Sequence, residues 1–346
     1  MESKENPSIS FYGAARTVTG SNFLLQNKSG SEKILIDCGL FQEGKSGEQK
    51  NRESFPYDPS LIKALFVTHA HTDHIGRIPK LVHDGFKGKI YSTAPTKDLA
   101  HVMLLDSARV LQRNAERDKT KALYDGHDVE TTMSLWEAIP YHGEVLVGEE
   151  FRAVFKDAGH VLGSAMVEFV YAGKKIVFTG DLGNSPAPLL RDTETIADAD
   201  YVIMEAVYGD RNHEDRDERK GKLEDVIEDT ISRGGVLMIP AFSVERTQDL
   251  LLELNELVEH NRIPKVPVFL DSPLAIKITE IYKRNEEYFN KETEHEIRTG
   301  DDIFNFPMLK LTHESRDSMD IREVKNPKII IAVSLRSNGG RILNHE

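Results

Sequence analysis

Short apolar runs closed by Gly, Asn or Asp dominate the first two hundred positions: ISFYG, SNFLLQ, EKILIDCG, IKALFVTH, GKIYST, EVLVG, FRAVFKDAG, AMVEFVYAG, KKIVFTGD and YVIMEAV. Such runs, alternating or continuous and ended by turn formers, predict strands and tight turns. Apolar residues at near-helical spacing predict helices over about 74–84, 96–115 and 129–138, with Leu99, Val102, Met103 and Val110 on one stripe of the second. Strands and helices are mixed here without strict alternation.

After VYGDRNHEDRDERKG the texture changes. A helix carrying Leu223, Val226, Ile227 and Ile231 leads to GGVLMIP, then to a helix with Leu250, Leu251, Leu254, Leu257 and Val258, then to KVPVFLD and a helix from about 273. Alternation of strand and helix predicts a parallel α/β unit. The boundary falls near 207–216, giving domains 1–207 and 208–346, and the charged run Asp210 to Lys220 reads as a solvated linker or helix start. Residues 285–325 are polar and poorly periodic, which predicts a loop-rich excursion, and NPKIIIAVSL predicts a last buried strand.

Length agrees with two domains, since 346 residues exceed the ~100–200 typical of one. Hydrophobic residues at 39% and charged residues at 29% are ordinary globular values, and no apolar run nears the ~18–20 residues of a membrane span. A soluble chain with no membrane contact is expected. MESKENPSISFYG shows neither a basic start nor an apolar leader, which favours the cytoplasm. Cys38 is the only cysteine, so a disulfide framework and a cysteine-only zinc site are excluded and any metal falls to histidine and carboxylate. The formal charge of −13 argues against binding nucleic acid through general positive charge and leaves room only for a local basic groove.

Candidate chemistry concentrates in THAHTDHIGRIP, where His69, His71, Asp73 and His74 fall within six positions at a strand end and helix start. Imidazoles and carboxylates bind Zn2+ at ~2.0–2.2 Å. The 69, 71 spacing puts two rings on one side of an extended segment, while 73 and 74 turn toward a neighbouring point ~3.5–4 Å away, as in two-metal hydrolases. The competing explanation is a helix-capping Asp73 among scattered surface histidines; four potential ligands among the chain's 13 histidines and a carboxylate weigh against it. His160 in DAGHVLGSA and Asp181 in IVFTGDLGN stand at strand ends as partners, and Asp37 in ILIDCG could orient a ligand or merely occupy a turn. Ser243 and Arg246 in PAFSVERTQ suit a phosphate or a helix cap with a local ion pair. Ser272 in DSPLA presents the same choice. NGGR at 338–341 makes a tight turn or a close backbone approach to a nucleotide, with Arg341 at the substrate cleft.

Taken in order, Asp37, the HxHxDH of His69, His71, Asp73 and His74, then His160 and Asp181 resemble the metallo-β-lactamase superfamily over about residues 8 to 207. The resemblance implies a four-layer αββα sandwich with the metals at one edge of the sheets. It implies two Zn2+ ions, one on His69, His71 and His160, the other on Asp73 and His74, bridged by Asp181. MEAVYGDR is similar to the motif opening the β-CASP insertion of RNA- and DNA-processing nucleases, with Glu205 at its acidic position and Ala206 and Val207 where Ser and Thr are usual. FYGAARTVTGS, GHVLGSA, IPAFSVERTQ, DSPLA and NGGRIL resemble the branch of the cleavage and polyadenylation factor nuclease and its prokaryotic relatives, with RNase J more distant.

That resemblance implies hydrolysis of RNA, single-stranded in particular, by a metal-activated water held by Asp73, which can take its proton, with Glu205 partnering a histidine acid. In the family a chain returning to the sandwich carries SxHxD and HGE motifs. The sequence given ends at NGGRILNHE, with His345 outside both motifs, so the expectation is a fragment: a second zinc short of a ligand, an incomplete β-CASP unit and sandwich, and an exposed edge open to self-association. Two alternatives stand beside the nuclease: another zinc hydrolase of thioesters, lactones or esters, and an RNA-binding scaffold with impaired catalysis.

Overall fold

The computed structural model describes residues 6–212, 218–333 and 341–345. Two compact units divide the chain, Met1–Val207 and Tyr208–Glu346.

In the first unit, strands β1 (Ser8–Phe11), β2 (Phe23–Gln26), β3 (Lys33–Ile36), β4 (Ala64–Phe66), β5 (Lys89–Ser92) and β6 (Trp136–Ala138) form one sheet in that order. β1 to β3 are antiparallel, and β3 to β6 are parallel. The second sheet runs β11 (Tyr201–Ile203), β10 (Lys174–Phe178), β9 (Ala165–Tyr171), β8 (Phe151–Asp157), β7 (Glu144–Val147), antiparallel except between β10 and β11. Alternation explains how they pack. Phe151, Ala153 and Phe155 of β8 bury every second side chain against Ile34, Ile36 and Phe66 of the first sheet. Phe66 lies with its centroid 5.0 Å from Phe169 and 5.7 Å from Phe155, and full burial of such a ring contributes about 1.5–3 kcal/mol.

Helices Gly44–Arg52, Thr72–Ile75, Ile78–His83, Ala94–Asp118 and Gly126–Ser134 all lie in the crossovers between β3 and β6. Right-handed parallel crossovers place them on one face of that sheet. Among the described residues of this unit no helix follows β6. The helix expected over 74–84 is broken at Gly76 and Arg77, and Pro79 stands in the first turn of its second half, where its missing N–H costs nothing. The helix expected over 129–138 ends at Ser134 because Trp136 joins β5 instead, its indole N–H donating to Ser92 Oγ at 2.8 Å.

The second unit holds a four-stranded parallel sheet in the order β12 (Val236–Ala241), β15 (Lys328–Val333), β13 (Val268–Asp271), β14 (Leu309–Leu311). The expected helices are Arg219–Ser232, Arg246–Glu259 and Pro273–Lys283. The loop-rich excursion over 285–325 is corrected: it contains helices Lys291–Arg298 and Ser315–Asp320 and strand β14. Their apolar faces are narrow, with only Thr293 buried in the first helix and only Ser318 in the second, so hydropathy gives little signal. Residues 338–340 of NGGR, and part of the charged run before Lys220, lie outside the described residues.

Candidate metal centre

β3 and β4 run parallel, so their C-terminal ends lie at one edge of the first sheet. The β8–β9 turn and the end of β10 meet that edge from the second sheet, joined where Ala165 N donates to Thr68 O at 2.8 Å. Asp37 follows β3, Thr68 to His71 follow β4, and His71 starts the helix whose first turn contains Asp73 and His74. His160 occupies the β8–β9 turn and Asp181 follows β10. Residues far apart in sequence are thus delivered to one point.

His69 Nε2 lies 3.0 Å from His71 Nδ1, and His160 Nε2 lies 3.3 Å from the same atom. Asp181 Oδ2 stands 3.8 Å from His69 Nε2 and 3.7 Å from His160 Nε2. These four donors form the one metal-competent group among the described residues. The donor set fits a cation. The ligand-to-ligand edge of a tetrahedron with bonds of ~2.0–2.1 Å is about 3.3 Å, close to both nitrogen separations. The other carboxylate oxygen, Asp181 Oδ1, faces His74 Nε2 at 3.3 Å. Asp73 is half-buried beside His74 and lies outside the four-donor group.

Behind the rings, Asp37 organises the edge. It is fully buried with φ +57, and its Oδ1 accepts from Thr68 N at 2.8 Å. Its Oδ2 accepts from Thr68 Oγ1 at 2.8 Å and faces His74 Nδ1 at 2.7 Å. Thr68 Oγ1 also lies 3.1 Å from His69 Nδ1, so this threonine joins two rings to one carboxylate. Sequence reasoning passed over Thr68; its position between a strand and the first histidine was the available signal.

Burial pushes the His69 imidazole well below the ordinary histidine range, and His74 beside it acts in the same direction. A neutral ring is what a cation requires. Burial opposes the charged form of His74 too, yet Asp37 and Asp181 outweigh it and hold this ring well above the ordinary range. Burial would raise Asp181, but His74, His69 and His160 override it and keep the carboxylate far below the usual range. With protein groups alone, His74 carries a proton on each nitrogen, Nδ1 toward Asp37 and Nε2 toward Asp181.

The profile of the Metallo-beta-lactamase superfamily matches residues 16–219, and that of the Beta-Casp domain matches residues 247–346. The chain belongs to the β-CASP family of the metallo-β-lactamase superfamily. It is 36% identical over 334 residues to Ribonuclease TTHA0252 of Thermus thermophilus, covering 96% of this chain and 74% of that protein. It is 32% identical to Transcription termination factor FttA of Methanosarcina mazei, over 97% of this chain and 53% of the relative. Identity is also 32% with Cleavage and polyadenylation specificity factor 73 of Drosophila melanogaster, over 82% of this chain and 41% of the relative. The chain therefore spans about half or less of those last two proteins. A solved structure of a protein of unknown function from Enterococcus faecalis V583 shares the fold, with TM-score 0.53 and 12% identity over 96% of this chain and 78% of that one.

Other residues singled out in this β-CASP chain fall as follows. Glu205 follows β11, accepting from Leu182 N, the residue after Asp181, at 3.3 Å and from Val207 N at 3.1 Å. In the β-CASP unit Ser272 caps helix Pro273–Lys283, its Oγ accepting from Ala275 N at 3.1 Å. Ser243 is buried, and the helix after it takes Glu245 as its first flanking residue, so Ser243 is no cap. Arg246 opens that helix with an exposed side chain 4.0 Å from Asp249. Arg341 gives its Nη1 to Asp271 at 2.7 Å.

Proposed function

We propose that this chain is a metal-dependent ribonuclease that hydrolyses RNA phosphodiester bonds in RNA processing or decay. The observation that carries the reading is the convergence of His69 Nε2, His71 Nδ1, His160 Nε2 and Asp181 on one point, with His74 on the far oxygen of Asp181. Membership of the β-CASP family and the ribonuclease among its relatives support RNA as substrate.

His69, His71 and His160 would hold one ion, Asp73 and His74 a second, with Asp181 between them. Imidazole and carboxylate suit zinc and accept manganese or iron as well. The ions would supply Lewis acidity toward the attacking water and the phosphoryl oxygens. Asp73, half-buried at the rim, orients the water and receives its proton. Asp37 fixes which nitrogen of His74 faces Asp181. Glu205 accepts from Leu182 N and Val207 N, and by the family resemblance its carboxylate would partner the histidine acid of the leaving oxygen. No helix of the described residues is long and apolar enough to cross a membrane.

The test is cleavage of a labelled single-stranded RNA by protein reloaded with zinc, with Asp73→Asn and Asp181→Ala beside it. Cleavage lost with chelator and in both variants is expected. RNA left intact while thioester or lactone substrates are hydrolysed would move the chain to another hydrolase class.

A further inference from the structure

An RNA substrate brings negative charge to an edge already lined by carboxylates, in a chain of formal charge −13. Segments 12–22, 37–43, 67–77, 157–164 and 179–185 meet at this edge, with 191–194 packed on Gly159; their Lys and Arg residues are Arg16, Arg77 and Arg191, and Arg191 faces Asp157 at 3.4 Å. Arg77 is 5% exposed, donates Nε to Gly39 O at 2.7 Å and stacks on Phe41 with 4.7 Å to the ring centroid. It is committed to structure. Arg16 is exposed, and no ion pair or hydrogen bond of its side chain is formed among the described residues.

Arg16 sits on a loop with a closed neck rooted at the metal site. Tyr12 N donates to Asn22 O at 2.9 Å, and Gly13 packs so tightly on Gly20 that a Cβ on Gly13 would lie 1.7 Å from Gly20 O. Just past the neck, Ser21 N donates to Asp73 O at 2.8 Å and Asn22 Nδ2 to Asp37 O at 2.8 Å. Thr19 Oγ1 accepts from Gln42 N at 3.0 Å, and Gln42 Nε2 donates to Thr72 Oγ1 at 2.8 Å, between His71 and Asp73. Thr17 and Thr19 both donate to Glu43. Ala14 and Arg16 take left-handed φ values of +51° and +61°, a conformation that non-glycine residues hold only when their surroundings impose it. The loop fastened to Asp37 and Asp73 thus carries one exposed guanidinium that has no partner among the described residues.

We propose that Arg16 is a substrate-binding residue that pairs with a phosphate of the RNA strand next to the bond being cut. A guanidinium on a fixed loop matches two phosphate oxygens at once, and here it meets no competing carboxylate. The inference rests on the ribonuclease reading.

The test uses the full chain carrying Arg16→Gly, which removes the charge while glycine accepts the left-handed backbone, and Arg16→Lys, which keeps the charge. Binding of a fluorescein-labelled single-stranded RNA is followed by anisotropy in EDTA, across a series of KCl concentrations. Cleavage of bis(p-nitrophenyl) phosphate by the metal-loaded proteins is measured in parallel. Arg16→Gly is expected to weaken RNA binding about fivefold to twentyfold and to flatten the log–log salt slope by about 0.7, the share of one phosphate on a single strand, while the small diester reports whether each protein assembles its metal site. Arg16→Lys should keep the slope. An unchanged slope and affinity in Arg16→Gly, in a wild type that binds and cleaves RNA, overturns this inference alone. A wild type that neither binds nor cuts RNA overturns the ribonuclease reading with it.

Discussion

His74 Nδ1 lies 2.7 Å from Asp37 Oδ2, while the opposite nitrogen of the same ring faces Asp181 Oδ1 at 3.3 Å. One imidazole is therefore strung between a buried carboxylate that cannot move and a second that lines the metal site. The buried one decides the direction of the ring. Asp37→Asn keeps an oxygen for Thr68 N–H and tolerates the left-handed backbone, but places an amide where His74 and Thr68 need an acceptor. Outer-sphere partners of this kind are worth 10–100-fold in metal affinity. Competition with a chromophoric chelator should show a loss in that range for Asp37→Asn; affinity equal to wild type would leave Asp37 a turn residue.

Metal binding should release a proton from His74. In the metal-free protein its pKa is raised, by Asp37 and Asp181 against the opposing effect of burial, so the ring is charged at neutral pH. The stability this charge contributes is fully present below the unfolded histidine pKa of ~6.5 and is lost as pH rises through the folded value. Cation binding runs the other way: affinity at this site climbs about tenfold per pH unit until the ring is already neutral. Titration calorimetry at pH 7 in buffers of different ionisation enthalpy should report about one proton released for the ion that binds there. Heats independent of buffer would mean that the ion avoids His74.

Two members of the four-donor group, His69 and His71, stand in the six-residue cluster that the sequence displays, and the other two, His160 and Asp181, occupy strand ends marked by glycine. Thr68 was not read, since a threonine next to a histidine cluster has no distinctive spacing; its role comes from Asp37, 31 positions away in sequence, which only the β3–β4 pairing brings close. Helix Lys291–Arg298 was missed although Asn290 caps it through Thr293 N, because its buried face is a single threonine. Strand β6 is short and buries only Trp136, so its sequence looks like the end of a helix.

Asp157, at the root of the His160 turn, should make the fold less stable as pH rises. Burial pushes its carboxyl up to about 6, despite an N–H from Gly159 at 2.9 Å and Arg191 at 3.4 Å. Since the folded value lies above the unfolded one, the folded state holds its proton longer, and stability falls from about pH 4 through about 6, by up to about 3 kcal/mol for this group. Asp157→Asn keeps an acceptor for Gly159 without the charge. Thermal unfolding from pH 4.5 to 8 should show variant and wild type alike in acid, with the variant melting higher above pH 6. Parallel curves throughout would remove Asp157 as the cause.

Asp271 in the β-CASP unit should matter more for folding than for RNA. Its carboxylate is fully buried and accepts from Thr312 Oγ1 at 2.6 Å, Ser318 Oγ at 2.6 Å and Arg341 Nη1 at 2.7 Å, with His345 Nε2 at 2.8 Å. Burial would raise its pKa, and these donors outweigh burial and lower it. The resulting stability is present above the ordinary carboxyl pKa and is lost as pH falls through the folded value. Removing the acceptor strands a half-buried guanidinium and two buried hydroxyls, so Asp271→Ala should cost about 2–4 kcal/mol in urea unfolding of the full chain. Arg341→Ala should cost less, because Asp271 keeps three donors, and RNA affinity should change little because the guanidinium already has its anion. If Arg341→Ala instead lowers RNA affinity tenfold with stability intact, Arg341 leaves Asp271 for the substrate, and the ion pair describes only the RNA-free state.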